Sequence, residues 1–220
     1  MLNSPLLPLH CMSMAGEKMS TEREVLVRPA EPGDLLQCVH ILNYWVLESD
    51  WALIEHPLSL TDMVELYRKI TSKGLPFMVA VWPDQQQHVL GFIYAIPEGY
   101  RLLRIPGVMC NVLFVKQGVK GLRLFERLLF PYLKVLLSYP WFRGTMSDTN
   151  AGNTHIHHKH STGYMIGKMT PIVLNGALIK RGQWHNQGLE FFPRKYCEMI
   201  VDNYEKLSKE KRRLHSPGQV

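Results

Sequence analysis

Several features that mark large classes of protein are scarce or missing from this chain. Its 220 residues hold four cysteines, Cys11, Cys38, Cys110 and Cys197, widely spaced and without a Cys-x-x-Cys pair. Such spacing argues against a disulfide framework and fits reduced thiols in a cytoplasmic protein. No apolar run approaches the roughly 20 residues that a membrane helix requires, so no membrane partner is expected. The opening MLNSPLLPLHCMSMAGEKMS lacks a basic head, and Pro5 and Pro8 interrupt its apolar stretch, which argues against a signal peptide. It also lacks arginine, which argues against a mitochondrial leader. Residues 1–22 are therefore expected to form a disordered leader. No internal repeat is present.

What remains is the composition of an ordinary globular domain: 46% hydrophobic and 20% charged residues, in a length that suits one core. The net charge of +6 is compatible with an anionic ligand. Much of the excess, however, gathers in KLSKEKRRLHS near the C-terminus. A charge run there reads as a solvated tail rather than a nucleic-acid-binding surface. The expected organisation is a domain over residues 23–195 and a helical, basic tail over 196–220.

Periodicity supplies the elements. EVLVRPA reads as a strand closed by Pro29. A helix then begins near Asp34, with Leu35, Val39, Leu42 and Val46 at helical intervals. In SLTDMVELYRKITSKG, Ser59 or Thr61 can cap a second helix, Asp62 suits its first turn, and Gly74 closes it. PFMVAVW and HVLGFIYAI predict a hairpin around the loop PDQQQ. VMCNVLFV is a further strand, and GLRLFERLLFPYLKVLLSYP a long helix that Pro131 should kink or split. FRGTMSD is another strand, NTHIHHKHSTGYM a short polar helix, and KMTPIVLNGALIKRGQWHNQGLEFF holds the last strands. The order predicts an α/β fold with a mixed sheet covered by helices.

Two stretches carry possible chemistry. In VLFVKQGVKGLRLFERLLF a strand stops, two glycines and two lysines follow, and a helix begins. Backbone N–H groups at such a turn and at a helix N-terminus can cradle a diphosphate, with glycine permitting close approach. The same residues also suit a plain strand-to-helix corner. The second stretch holds His155, His157, His158 and His160. On a helix these form two pairs three residues apart, a spacing that can bind a metal. No acid or cysteine cluster nearby in sequence completes a site, and no metal is expected.

Taken together, the element order and three local stretches resemble the GNAT superfamily of acetyl-CoA-dependent N-acetyltransferases over residues 23–193. LVRPAEPGDLLQCVHILN resembles the opening strand and helix of the phosphinothricin-type subgroup. IKRGQWHNQGLEFF resembles that subgroup's late Lys-x-Gly-x-Trp-His-x-x-Gly segment. IGKMTPIVLNG resembles fungal-type enzymes that act on proline analogues. The resemblance implies a mostly antiparallel, twisted sheet splayed at its central strands, acetyl-CoA as cosubstrate, and a small amine or amino acid as acceptor. A homodimer is compatible with it.

The resemblance also distributes roles. The family's Arg/Gln-x-x-Gly-x-Gly/Ala loop falls on Lys116, Gln117, Gly118, Val119, Lys120 and Gly121, with Val119 in place of the middle glycine. The backbone of Leu113, Phe114 and Val115 would polarise the thioester carbonyl. The subgroup's catalytic glutamate aligns with Cys110, so that Asn111 beside it would hold substrate or orient a water. His158, near the Gly163–Tyr164 pair, would protonate the leaving thiolate. Asn150 and Asn153 would reach the pantetheine arm or cap the following helix. Glu55 would contact substrate, and Trp184 with His185 would form a wall of the site or a wedge in the last hairpin. The alternative to an enzyme is a catalytically impaired GNAT-fold module that binds an acyl-CoA or a protein partner.

Overall fold

The computed structural model describes residues 24–49, 54, 56–96, 106–119, 123–150, 172–180 and 183–215. The leader expected over residues 1–22 lies outside them. Strand β1 (Leu26–Pro29) leads through a 3-10 turn (Pro32–Asp34) into helix α1 (Leu35–Glu48). The corner is held by a fork-to-fork pair: Arg28 Nη1 and Nη2 donate to Asp34 Oδ2 and Oδ1 at 2.7 and 2.9 Å. Asp34 Oδ2 also accepts from the Glu31 N–H at 2.7 Å. Leu35, Val39, Leu42 and Val46 are all buried, as their spacing predicted.

Helix α2 (Leu60–Thr71) begins in a capping box, with Ser59 accepting from the Asp62 N–H and Asp62 accepting from the Ser59 N–H. Beyond its C-terminus Gly74 takes the left-handed conformation. The Ser59 hydroxyl and N–H hold the Asp62 carboxyl below the ordinary carboxylate range. The cap therefore contributes above the unfolded carboxyl's pKa and is lost as pH falls through the lowered folded value.

Strands β2 (Phe77–Trp82) and β3 (Gln85–Ile96) form the expected hairpin, but its turn is only Pro83 and Asp84. The glutamines expected in the loop belong to β3, because backbone ladder bonds extend a strand beyond its apolar run. Strand β4 (Val108–Val115) follows, then helix α3 (Leu124–Leu137), strand β5 (Gly144–Asn150), strands β6 (Ile172–Lys180) and β7 (Gln183–Pro193), and helix α4 (Arg194–His215). Helix α3 is not split at Pro131. Phe130, Tyr132, Leu133 and Leu136 around the proline are all buried, so packing outweighs the one helical bond that it removes.

The seven strands form one sheet in the order β1-β2-β3-β4-β5-β7-β6. Every neighbouring pair is antiparallel except β4 and β5. The sheet is thus mixed and mostly antiparallel, as the α/β expectation required. On one face Phe77, Phe92 and Tyr94 stack, Phe77 meeting Tyr67 of α2. The other face carries α3, and α4 packs on α3 through a Phe130–Tyr204 stack 3.7 Å between centroids. Cys197, Ile200 and Val201 lie in the main core, so the segment expected as a tail contributes its first turns to the domain.

Arg194, the first residue of α4, closes the end of α3. Its guanidinium donates to the carbonyls of Leu137, Tyr139 and Phe142 at 2.8, 2.9 and 3.1 Å. These are carbonyls that a helix end and the turn after it would otherwise leave to water. Arg194→Ala should lower unfolding free energy by about 2 kcal/mol in urea denaturation. Arg194→Lys should not restore it, since one ammonium cannot reproduce a planar fork.

Candidate functional site

Strands β4 and β5 pair over a short stretch and then part. Their parallel register runs from Val108↔Gly144 to Asn111↔Ser147. Beyond it β4 stays with β3, ending at Val115↔Gly91, while β5 stays with β7, ending at Asn150↔Gln187. The sheet is therefore two half-sheets hinged at Asn111. The Lys116 N–H donates to the Leu90 carbonyl at 2.8 Å, so even-numbered residues along β4 turn their backbone groups toward β3. Odd-numbered residues, Asn111, Leu113 and Val115, turn theirs toward the side where β5 has departed.

This parity divides the three backbones expected to face the cleft. Phe114 is directed to β3, whereas Leu113 and Val115 face the opening. The Val115 carbonyl accepts from Trp45 Nε1 of α1 at 2.6 Å. The Leu113 N–H and C=O and the Val115 N–H lie beyond the last register pair with β5. They form an edge suited to an extended, amide-bearing ligand.

Asn111 occupies the vertex. Its Oδ1 accepts from the Tyr132 hydroxyl at 2.5 Å and from Thr145 Oγ1, which also lies 3.0 Å from the Met109 carbonyl. Tyr132 is completely buried. Burial, reinforced by Cys110 and Cys197, holds its phenol well above the ordinary range, against a lowering influence from Thr145. It therefore remains an O–H donor. Cys110 points to the opposite face of β4, toward Tyr94, and is 1% exposed. Tyr94 is likewise raised, chiefly by burial. Cys197, also closed off, is pushed up to about 12 by burial.

The loop after β4 carries Lys116, Gln117 and Gly118 on the surface. Gly118 has φ +79°, with open space where a Cβ would stand, so a left-handed turn rather than crowding favours glycine there. Lys120 and Gly121 lie outside the described residues. Arg123 stands at the N-cap position of α3 with φ 48°, and its Nε and Nη2 donate to Glu126 Oε2 and Oε1 at 3.1 and 3.0 Å. Glu126 is only 5% exposed. Lys116 thus puts a cation at the start of the loop, while Arg123 at its other end is paired with Glu126.

The remaining expected residues fall at the splayed end or outside the described residues. Asn150 ends β5 opposite Gln187, while Trp184 and His185 stand in β7 opposite Ile179 and Leu178. These β7 positions lie toward the end of the second half-sheet at which β5 leaves β4. Glu55, Asn153 and His158, with the other three histidines of its stretch, lie outside the described residues. The segment just after Glu55 is fixed by Asn43, whose Nδ2 donates to the Leu58 carbonyl and whose Oδ1 accepts from the Leu58 N–H, both at 2.8 Å. Among the described residues no group of three histidine, cysteine or acidic side chains could hold a metal, and no helix is long and apolar enough to cross a membrane.

Sequence reasoning missed Trp45, Arg123, Glu126, Tyr132 and Thr145. Tyr132 carried a signal: a hydroxyl on the apolar face of α3 must find a partner when buried. Which partner it finds depends on the approach of two strands.

No protein-family model matches the chain, and no curated protein matches it in sequence. Solved structures match most of its length, and they show that the chain has the GNAT fold. A phosphinothricin acetyltransferase from Sinorhizobium meliloti in complex with AcCoA is 20% identical, with a TM-score of 0.64, covering 77% of this chain and 88% of that one. A ribosomal-protein-alanine N-acetyltransferase from Brucella melitensis is 18% identical over 76% of this chain and 99% of its own, with a TM-score of 0.65. A spermidine N-acetyltransferase from Vibrio cholerae in complex with CoA and spermine is 16% identical over 79% and 97%, with a TM-score of 0.60.

Trp45→Phe retains the ring but removes the donor to Val115. It should cost about 1 kcal/mol in chemical denaturation.

Proposed function

We propose that the chain is an acetyl-CoA-dependent N-acetyltransferase that acts by direct transfer on a small amine or amino-acid-like substrate in the cytoplasm. The observation that carries this reading is the parting of β4 and β5 at Asn111, which leaves Leu113 and Val115 backbone groups on an open edge. Fold neighbours bearing AcCoA or CoA support it. So does the turn at Gly118, with Lys116 at the start of the loop to attract a diphosphate.

In this reading the pantetheine arm lies along the β4 edge. The Leu113 N–H donates to the thioester carbonyl oxygen as negative charge develops there. The neutral amine attacks the carbonyl carbon, forming the new C–N bond. The C–S bond then breaks, the amine's proton passes to a water in the cleft, and CoA leaves as a thiol protonated by His158. Glu55, Trp184 and His185 would shape the acceptor pocket, and Asn150 and Asn153 would reach the arm. Lys120 and Gly121 would complete the phosphate loop.

A second reading, an acyl-CoA-binding module without turnover, is favoured by two departures. Cys110 is buried where the phosphinothricin-type enzymes carry a base, and Val119 replaces the loop's middle glycine. Calorimetric titration with acetyl-CoA and with CoA tests the shared premise, and micromolar binding is expected. Absence of heat from folded protein would reject both ligand-binding readings. Release of free thiol in a screen of amine acceptors then separates an enzyme from a binder. Charge reversal at Lys116 and Lys120 to glutamate should weaken CoA binding at least tenfold, an effect that diminishes at high salt. Asn111→Ala should lower kcat and leave CoA affinity largely intact.

A further inference from the structure

The vertex contains more than a partly buried asparagine. Two hydroxyls from different elements, Tyr132 of α3 and Thr145 of β5, converge on the same atom, Asn111 Oδ1. An amide whose oxygen is held in this way has its NH2 group turned away from both hydroxyls. Asn111 Nδ2 makes no bond among the described residues, and the side chain is partly accessible where Cys110, Tyr132 and Thr145 are closed. The strand edge that begins with Leu113 starts two residues farther along β4.

We infer that Tyr132 and Thr145 are positioning residues. They fix the Asn111 amide so that its Nδ2–H group, together with the Leu113 N–H, meets the acyl carbonyl oxygen. This inference rests on the acetyltransferase reading and assigns a definite role within it. An amide nitrogen cannot remove a proton from an amine, so an Nδ2–H donor left outside the clamp serves an acceptor atom. Burial keeps Tyr132 protonated through the working pH range, so the clamp does not titrate. Thr145 adds rigidity because it also touches the Met109 carbonyl, one strand away.

The test uses the full chain and three near-isosteric substitutions. Asn111→Asp keeps an oxygen for both hydroxyls but removes the donor. It should lower kcat on the order of 100-fold with little change in the KM for acetyl-CoA. Tyr132→Phe and Thr145→Val should each lower kcat roughly tenfold by loosening the amide. In an Asn111→Ala background neither should lower it further. An Asn111→Asp protein with normal kcat overturns the donor role. A Tyr132→Phe loss that persists without Asn111 overturns the positioning role.

Side-chain amide NMR provides a readout independent of turnover. The Asn111 NH2 pair, identified by its disappearance in Asn111→Asp, should shift on saturation with acetyl-CoA. It should also move in ligand-free Tyr132→Phe. A wild-type protein that binds no acetyl-CoA and transfers no acetyl group would sink the proposed function. The ligand-free comparison still judges the clamp, since an Asn111 pair unchanged by Tyr132→Phe would overturn it by itself.

Discussion

The contact between Asn111, Tyr132 and Thr145 sits at the one point where the two half-sheets meet and separate. It joins β4, β5 and α3 through a single amide oxygen. The parallel ladder ends at this position, yet neither strand frays, because each continues with its antiparallel partner on the other side. An open strand edge in the middle of a sheet is costly unless something satisfies it. Trp45 satisfies one carbonyl there, and the Leu113 N–H and C=O and the Val115 N–H lie on the open edge.

Rigid construction surrounds this opening. Aromatic rings in mutual contact join β2, β3 and β4 on the face covered by α1 and α2. On the other face Arg194 ties the end of α3 to the start of α4, and Lys134 pairs with Glu205 at 2.8 Å. The guanidinium gains more from this arrangement than a surface ion pair would, since it meets three backbone carbonyls that have few other partners. Helix α3 is thereby fixed at its C-terminal end, while its N-terminal end faces the loop. The Arg123–Glu126 pair at that end places a carboxylate in the first turn, where it meets the positive end of the helix dipole.

Much of this was legible in the chain. The spacing of Leu35, Val39, Leu42 and Val46, a cap at Ser59 or Thr61 and the Gly74 stop are local signals, and the structure chooses Ser59 for the cap, with Asp62 completing its box. VMCNVLFV was recognisable as a strand running into a glycine-bearing turn. The short turn at Pro83 and the unbroken course through Pro131 were less legible. Both depend on neighbours that supply ladder bonds or packing from far along the chain.

The site divides in the same way. The sequence by itself determined which residues carry usable groups, namely an asparagine in an apolar strand, two cations around a glycine turn and a tyrosine on an apolar helix face. It also determined the mixed α/β order, because periodicity and capping act over a few residues. Only the tertiary structure decided that β4 and β5 part at Asn111, that Phe114 turns its backbone away while Leu113 does not, and that Asn111 receives two hydroxyls. Those outcomes follow from strand register and from the approach of α3, and both are set by contacts between residues dozens of positions apart.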